Sequence, residues 1–572
     1  MLIDQIHFQG PTMNMPVDPA ILAANATLDK RDSHQPSQRM IGRLVLCNGS
    51  RAVVSSAATS LANSNADTWA IGRLIAISTG TGRIIGVVYE MSTTSELWSD
   101  QSANVIYVKV ELVGEIVQGP EGSSFRSGIT TYPELGAVAH RIRHNDLRAM
   151  YANKGGTSIE IGTLSQDETI VAAIDVDMML SRHFAVVGTT GVGKSTSVSI
   201  LLRRAVEAKP NLRVLVLDPH NEYASAFSDI SVIVNSSTLE LPFWMFRLDE
   251  FGDILFRGRN PDDVEENILR ELIAAAKIRY CNPPAAGAAN ALVKRPTGTE
   301  GTGITADTPV PYRMSDLMKL IDDEIGKLES KHPRASLRSV LNRLTSLSHD
   351  PRFKFMFARS TIEDNIDGII RQIFRIPIQD RPITVFQLAG LPSEVVNSVA
   401  SVMARMSFDL AMMSEGTYEI LLLCEEAHRY VPQDKSLGFM PTRTSIARIA
   451  KEGRKYGCYL GVVTQRPGEL DPTILSQCST VFAMRLANER DQDIIRSALS
   501  DSSASTISFL SSIGNREAIA FGEAIGTPMR IKFVTQQRDH MPRTGAGLAD
   551  NDSRAVKRDV DLRAIVGRMR SR

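Results

Sequence analysis

The 572-residue sequence predicts an α/β fold with a parallel sheet, interrupted by a helical insertion and preceded by a small all-β region. Three observations predict it. The apolar run Phe184–Val187 leads into a glycine-rich turn and then into helical spacing from Ser197 to Ala208. Two further apolar runs, Val214–Leu217 and Ile420–Leu423, each end in a polar, acid-bearing cluster. Upstream, five runs rich in β-branched residues follow one another between residues 41 and 112, with Gly, Ser, Thr and Asn between them.

Composition bounds the chemistry. Hydrophobic residues at 43% and charged residues at 22% are ordinary for a globular chain. Lysine plus arginine equals aspartate plus glutamate, 64 each, so no global basic field marks a nucleic-acid binder and any such contact is local. Five scattered cysteines without a C-x-x-C pair indicate neither a disulfide framework nor a zinc site, and a reducing cytoplasm is expected. Met1–Pro16 lacks a basic start followed by an apolar run, and no apolar stretch is long enough to span a bilayer. No membrane association is expected.

Taken in order, residues 1–40 are polar and irregular. Strands are expected at Ile41–Leu46, Arg51–Val54, Ile71–Ile77, Arg83–Tyr89 and Asn104–Leu112. Short strands in succession suit a small β-barrel, with an open sheet or sandwich as the alternative. Residues 120–175 read as a connector with further strands, including Ser158–Gly162, and a first domain is drawn at 1–175.

The second domain is drawn at 176–540. Its turn fits G-x-x-x-x-G-K-[ST] through Gly188, Gly193, Lys194 and Ser195. Such a P-loop curls backbone N–H groups inward around phosphate oxygens at the positive end of a helix. Gly188, Thr190, Gly191, Val192, Gly193, Lys194, Ser195 and Thr196 are therefore the expected nucleotide cradle. Lys194 reaches the β- and γ-phosphates, and the Ser195 hydroxyl is placed to ligate Mg²⁺. ATP and Mg²⁺ are the implied ligands.

Next come Asp218, His220 and Glu222 at a strand's carboxyl end, where open α/β sheets bind ligands. They either face the nucleotide or form a solvated turn. From about 250 to 375 helical periodicity replaces the alternation: Asp262–Ile278, Met314–Leu328, Arg334–Leu347 and Ile362–Ile373. Within this helical insertion Cys281–Tyr312, rich in Pro, Gly, Ala and Thr, reads as a flexible loop, and Lys294 and Arg295 are weak candidates for nucleic-acid contact.

The sheet resumes at Ile383–Leu388, followed by helical Ser393–Met413. Tyr418–Glu426 has the form of a Walker B strand. Glu425 would hold Mg²⁺, and Glu426 would act as general base toward water. Neighbours on a strand point to opposite faces, so both acids share one site only if the backbone leaves strand geometry after Cys424. Arg443–Lys455 reads as a basic helix with a largely solvated face. Strand Cys458–Thr464 ends in Gln465, a candidate to sense the γ-phosphate or orient water. Strands near Thr480–Met484 and Ala518–Gly522 are expected to finish the sheet. A basic tail is drawn at 541–572, where Arg554–Arg572 holds seven basic and two acidic residues.

Together Gly-Thr-Thr-Gly-Val-Gly-Lys-Ser, Leu-Asp-Pro-His-Asn-Glu-Tyr, Cys-Glu-Glu-Ala-His and Lys451–Gly457 leading to Thr464-Gln465-Arg466-Pro467 resemble the HerA family, hexameric ATPases of the HerA/FtsK division of the RecA-like fold. The resemblance is strong over residues 182–487. It implies a RecA-like P-loop ATPase core behind an N-terminal barrel, and a homohexameric ring that moves double-stranded DNA through its channel. By motif position it makes Glu426, Lys194 and Gln465 catalytic, and it implies an arginine supplied by the adjacent subunit. Arg454 matches best, Arg182 second, and Arg466 competes. The first Walker B acid is glutamate rather than aspartate, which alters its reach to the metal. Family members act with a NurA-type nuclease in end resection, or with a nuclease or sirtuin-like NAD-cleaving effector in phage defence. Two other readings compete: an ATP-gated scaffold that assembles an effector, and a conjugation-type coupling ATPase, which usually carries membrane spans.

Overall fold

The computed structural model describes residues 40–58, 69–80, 82–93, 104–119, 122–151, 156–257, 259, 261–282, 303–357, 364–377, 380–497 and 509–543. Their chain divides into two compact units: residues up to 151 together with 162–172, and residues 156–161, 173–497 and 509–543. The expectations for residues 1–39, for Lys294 and Arg295, and for the basic tail beyond 543 lie outside the described residues.

In the first unit the strands are β1 (Met40–Cys47), β2 (Arg51–Ala58), β3 (Leu74–Ser78), β4 (Gly82–Thr93), β5 (Asn104–Gly119), β6 (Gly122–Arg126) and β7 (Val138–Arg141). Six of them run β2-β1-β7-β3-β4-β5, every pair antiparallel, and β5 then pairs back onto β2 from Arg51↔Glu111 to Ala58↔Asn104. That last pairing closes the sheet into a barrel and removes its edges. Leu44, Val54, Ile75, Ile77, Ile84, Val88, Val108 and Val110 fill the interior. β6 extends the sheet from the far half of β5.

The second sheet has eleven strands: β8 (Ser158–Leu164), β9 (Asp167–Asp175), β10 (Phe184–Val187), β11 (Leu212–Asp218), β12 (Ser231–Val234), β13 (Ile383–Gln387), β14 (Glu419–Glu425), β15 (Cys458–Thr464), β16 (Thr480–Ala483), β17 (Glu517–Gly522) and β18 (Met529–Phe533). Their order is β12-β13-β11-β14-β15-β10-β16-β17-β18-β8-β9. The pairs from β12 to β16 are parallel, and β17 and β18 join antiparallel. β10, β11 and β15 are buried along their whole length, which is why they read as unbroken apolar runs. The sheet does not finish at β17. Beyond it lie β18, β8 and β9.

Between β12 and β13 the chain leaves the sheet for helices Leu248–Phe256, Asp263–Cys281, Met314–Gly326, Arg334–His349 and Ile366–Phe374. Phe243, Trp244, Phe251, Phe256, Ile268 and Leu344 join them to the main core. Asp262 starts the second helix by accepting from the Glu265 N–H at 2.6 Å. The expected flexible loop is not loose at its end, because Ala306 and Tyr312 are buried. The cause is Lys277. Its buried ammonium donates to the carbonyls of Ala306 and Thr308, pinning the returning chain. The expected helix ending at Leu328 stops at Gly326. The basic helix spans Met440–Glu452, and a tighter turn at Gly453–Tyr456 takes over because Gly453 lies against the Cys458 carbonyl.

Candidate functional site

Strand β10 delivers the chain to the P-loop at the carboxyl edge of the parallel sheet. Gly191 and Gly193 adopt φ 77° and 102°, values costly for residues with a Cβ. Helix Lys194–Ala208 follows with no side-chain cap, so its first amides face the loop's concavity. The Lys194 ammonium reaches back to the Thr189 carbonyl at 3.2 Å. The Ser195 hydroxyl donates to the Glu222 carboxylate. Thr190 and Gly191 are exposed at the loop's crest, Gly188 and Val192 are buried beneath it, and Thr196 is half-buried on the first turn.

At the tip of β11 the three polar candidates separate. Asp218 is fully buried and turned into its own loop, accepting from the N–H groups of Tyr223 at 3.0 Å and His220 at 3.3 Å. Burial raises its carboxyl above the usual range. It does not point at the nucleotide cradle. Glu222 does, through Ser195. His220 approaches Glu426 from the side, Nε2 lying 3.9 Å from Oε1.

β14 brings both Walker B acids. The strand continues through Glu425, and the backbone turns left-handed at Glu426 (φ 51°, ψ 50°), one residue later than expected. That turn lets two adjacent side chains serve one site. Glu425 is buried and accepts from the Tyr223 hydroxyl at 2.5 Å. Burial, with help from the neighbouring Glu426 charge, pushes its carboxyl up to about 8. The hydrogen bond from Tyr223 and, after it, the Lys194 charge pull the other way. Glu426 is buried, and its Oε2 has no hydrogen-bond partner among the described residues.

β15 lies between β14 and β10, so Gln465 at its tip sits between the acids and the P-loop strand. Arg466 is on the same edge but is paired with Glu469 at 2.8 Å. Arg182 and Arg454 are elsewhere. Arg182 precedes β10 and Arg454 precedes β15, while the P-loop and Gln465 follow those same parallel strands. Seven residues of strand separate the two edges near Arg454, about 20 Å. Arg182 is ion-paired with Glu523 and half-exposed, and Arg454 is exposed. The structure therefore brings together Lys194, Ser195, Glu425, Glu426 and Gln465, and not the two arginines.

Sequence reasoning missed Tyr223 as the partner of Glu425. It also missed Arg516, whose N–H donates to the Val192 carbonyl at 2.8 Å and whose side chain packs on Gly193. Arg485 was missed as well; its carbonyl holds the Thr189 N–H at 3.0 Å. The Leu-Asp-Pro-His-Asn-Glu-Tyr stretch carried the signal for Tyr223, an aromatic hydroxyl next to a polar strand tip. Nothing local signalled the arginines, which arrive from the last strands.

An anion cradle at a helix start, faced by acids from nearby strand tips of a parallel sheet, is the arrangement of a P-loop ATPase, and this chain is an ATP-hydrolysing enzyme of that class. Residues 159–407 match the central domain of the helicase HerA. Over that stretch the chain is similar to the HerA family. It is similar to the DNA double-strand break repair helicase HerA of Pyrococcus furiosus, 27% identical over 429 residues, covering 70% of this chain and 73% of the relative. It is likewise similar to that of Saccharolobus solfataricus, 25% identical over 404 residues, with the same two shares, 70% and 73%. Among solved structures, VirB4 of Thermoanaerobacter pseudethanolicus superimposes with a TM-score of 0.46 at 16% identity, over 67% of this chain and 98% of that one. No helix among the described residues is long and apolar enough to cross a membrane.

Proposed function

We propose that the chain is one subunit of a homohexameric ring that couples ATP hydrolysis to translocation on double-stranded DNA. The observation that carries this reading is the convergence of Lys194, Ser195, Glu425 and Glu426 on one sheet edge of a HerA-type central domain. Relatives named as DNA double-strand break repair helicases support DNA as the track. Lys194 neutralises the β- and γ-phosphates. Glu426, buried with an unpaired oxygen, takes the proton of the attacking water, and Gln465 orients that water. Arg454, or Arg182 in second place, reaches the phosphates of the adjacent subunit and stabilises the charge of the transferred group.

The donor set fits a hard cation: a hydroxyl from Ser195 and carboxylate oxygens from Glu425 and Glu222, all oxygen. Bound Mg²⁺ would supply charge neutralisation on the phosphates. The bond from Tyr223 holds the longer Glu425 side chain back, which answers the substitution of glutamate for aspartate. The partner on this reading is a NurA-type nuclease or another nuclease or sirtuin-like NAD-cleaving effector, in DNA end processing or phage defence.

The balanced charge, 64 against 64, favours a second reading: a ring whose nucleotide state assembles an effector with little movement. Two variants separate them. Lys194→Ala abolishes turnover under both. Glu426→Gln binds ATP without hydrolysing it, so a scaffold keeps effector activation and a motor loses function. DNA that neither binds the ring nor changes the rate of ATP turnover would overturn the motor reading.

A further inference from the structure

One residue beyond the two acids comes a histidine to which neither the motif nor the reading above gives a task. His428 lies in the short turn Ala427–Arg429, and the left-handed backbone at Glu426 folds that turn back against β15. Its Nδ1 is 3.0 Å from the Thr464 hydroxyl and 3.4 Å from Oε2 of Glu426. Thr464 is the last residue of β15, fully buried, and its hydroxyl also accepts the Arg466 N–H at 3.0 Å. The next residue is Gln465. Burial lowers the imidazole's affinity for a proton, and a neutral ring carries a single N–H.

In the tautomer that carries its proton on Nδ1, that N–H has two acceptors. It sits at bonding distance from Thr464, while the buried carboxylate oxygen beside it has no partner among the described residues. A carboxylate is the stronger acceptor, and leaving it unpaired in a buried site is costly. A small rotation of the ring transfers the bond from one to the other. We infer that His428 is a positioning residue. Its Nδ1–H is shared between the tip of the sensing strand and Glu426, so that movement of Thr464-Gln465 on nucleotide binding frees the N–H to fix the Glu426 carboxylate for catalysis. This rests on the reading of Glu426 as the general base.

Steady-state ATP turnover by the full chain tests it, with Glu426→Gln as reference. His428→Ala is expected to lower kcat roughly tenfold to a hundredfold, the scale of a misplaced catalytic group, and to leave KM within about twofold. His428→Asn places an amide N–H where Nδ1 stands and should restore most of the loss. His428→Gln places it at the position of Nε2 and should not. In the Glu426→Gln background, His428→Ala should cause no further loss. An unchanged kcat in His428→Ala overturns the inference, and so do equal rates in the Asn and Gln variants, which report packing alone. If His428→Ala fails to fold, the Asn–Gln comparison decides by itself. Normal turnover in Glu426→Gln would instead remove the general-base reading, and this inference with it.

Discussion

His183 introduces a pH dependence into stability from inside the core. It lies at φ 60° just before the P-loop strand, is almost fully buried, and uses both ring nitrogens: Nδ1 accepts from the Leu460 N–H at 3.0 Å, and Nε2 faces the Ala450 carbonyl at 3.1 Å. Burial pushes its pKa down to about 4, against about 6.5 for a free histidine. Between those values the unfolded chain holds a proton that the native chain does not, so the contribution is complete above pH 6.5 and is lost as pH falls toward 4. From pH 7.5 to 5 the loss is about 2 kcal/mol. His183→Asn tolerates the positive φ and does not titrate. Chemical denaturation should show a lower stability for the variant at pH 7.5, and a loss on going to pH 5 smaller than wild type's by about 2 kcal/mol. An equal pH loss in both proteins would show that His183 does not carry it. None of this was visible in the sequence, where His183 was only a residue flanking a motif. The P-loop and the Walker B acids were visible because their chemistry is packed into a few consecutive residues. Tyr223, Thr464 and His428 act through partners tens to hundreds of residues away, and no local pattern announces such pairs.

Strands and helices were legible where one environment persisted along them. β10, β11, β14 and β15 are buried nearly end to end, and helix Ser393–Met413 has the bounds that its spacing indicates. β12 and β18 were missed: both are short, and each mixes buried with half-buried or exposed positions. Barrel closure was not legible either, because the β2–β5 pairing is a property of two distant strands. At this scale Gly461, in the middle of β15, is sensitive to added volume. A Cβ there would come within 2.7 Å of Leu423 Cδ1 and 2.8 Å of Phe184 Cζ, atoms of the two flanking strands. Gly461→Ala should cost about 1–3 kcal/mol, measured as a lower denaturation midpoint, and should slow ATP turnover because Thr464 and Gln465 ride on the displaced strand. Full stability in the variant would mean that the sheet yields there more easily than its packing indicates.

The proposed ring places the strongest demand on the whole molecule. Arg182 and Arg454 stand at the amino edge of the sheet and Lys194 at the carboxyl edge, so neither arginine can serve the P-loop of its own chain without crossing the sheet. In the proposed ring, a head-to-tail contact that sets the amino edge of one subunit against the carboxyl edge of the next builds each site from two chains. Lys194→Ala and Arg454→Ala should then each form an inactive homomeric ring. Their faults lie on different sides of the interface, so co-assembly repairs some sites. In a random equal mixture half the sites keep Lys194 and half of those face an intact Arg454, so ATP turnover should recover to about a quarter of wild type. An arginine acting within its own chain gives no recovery at any mixing ratio. Repeating the mixture with Arg182→Ala identifies which guanidinium crosses the boundary: the variant that loses turnover alone and regains it in the mixture.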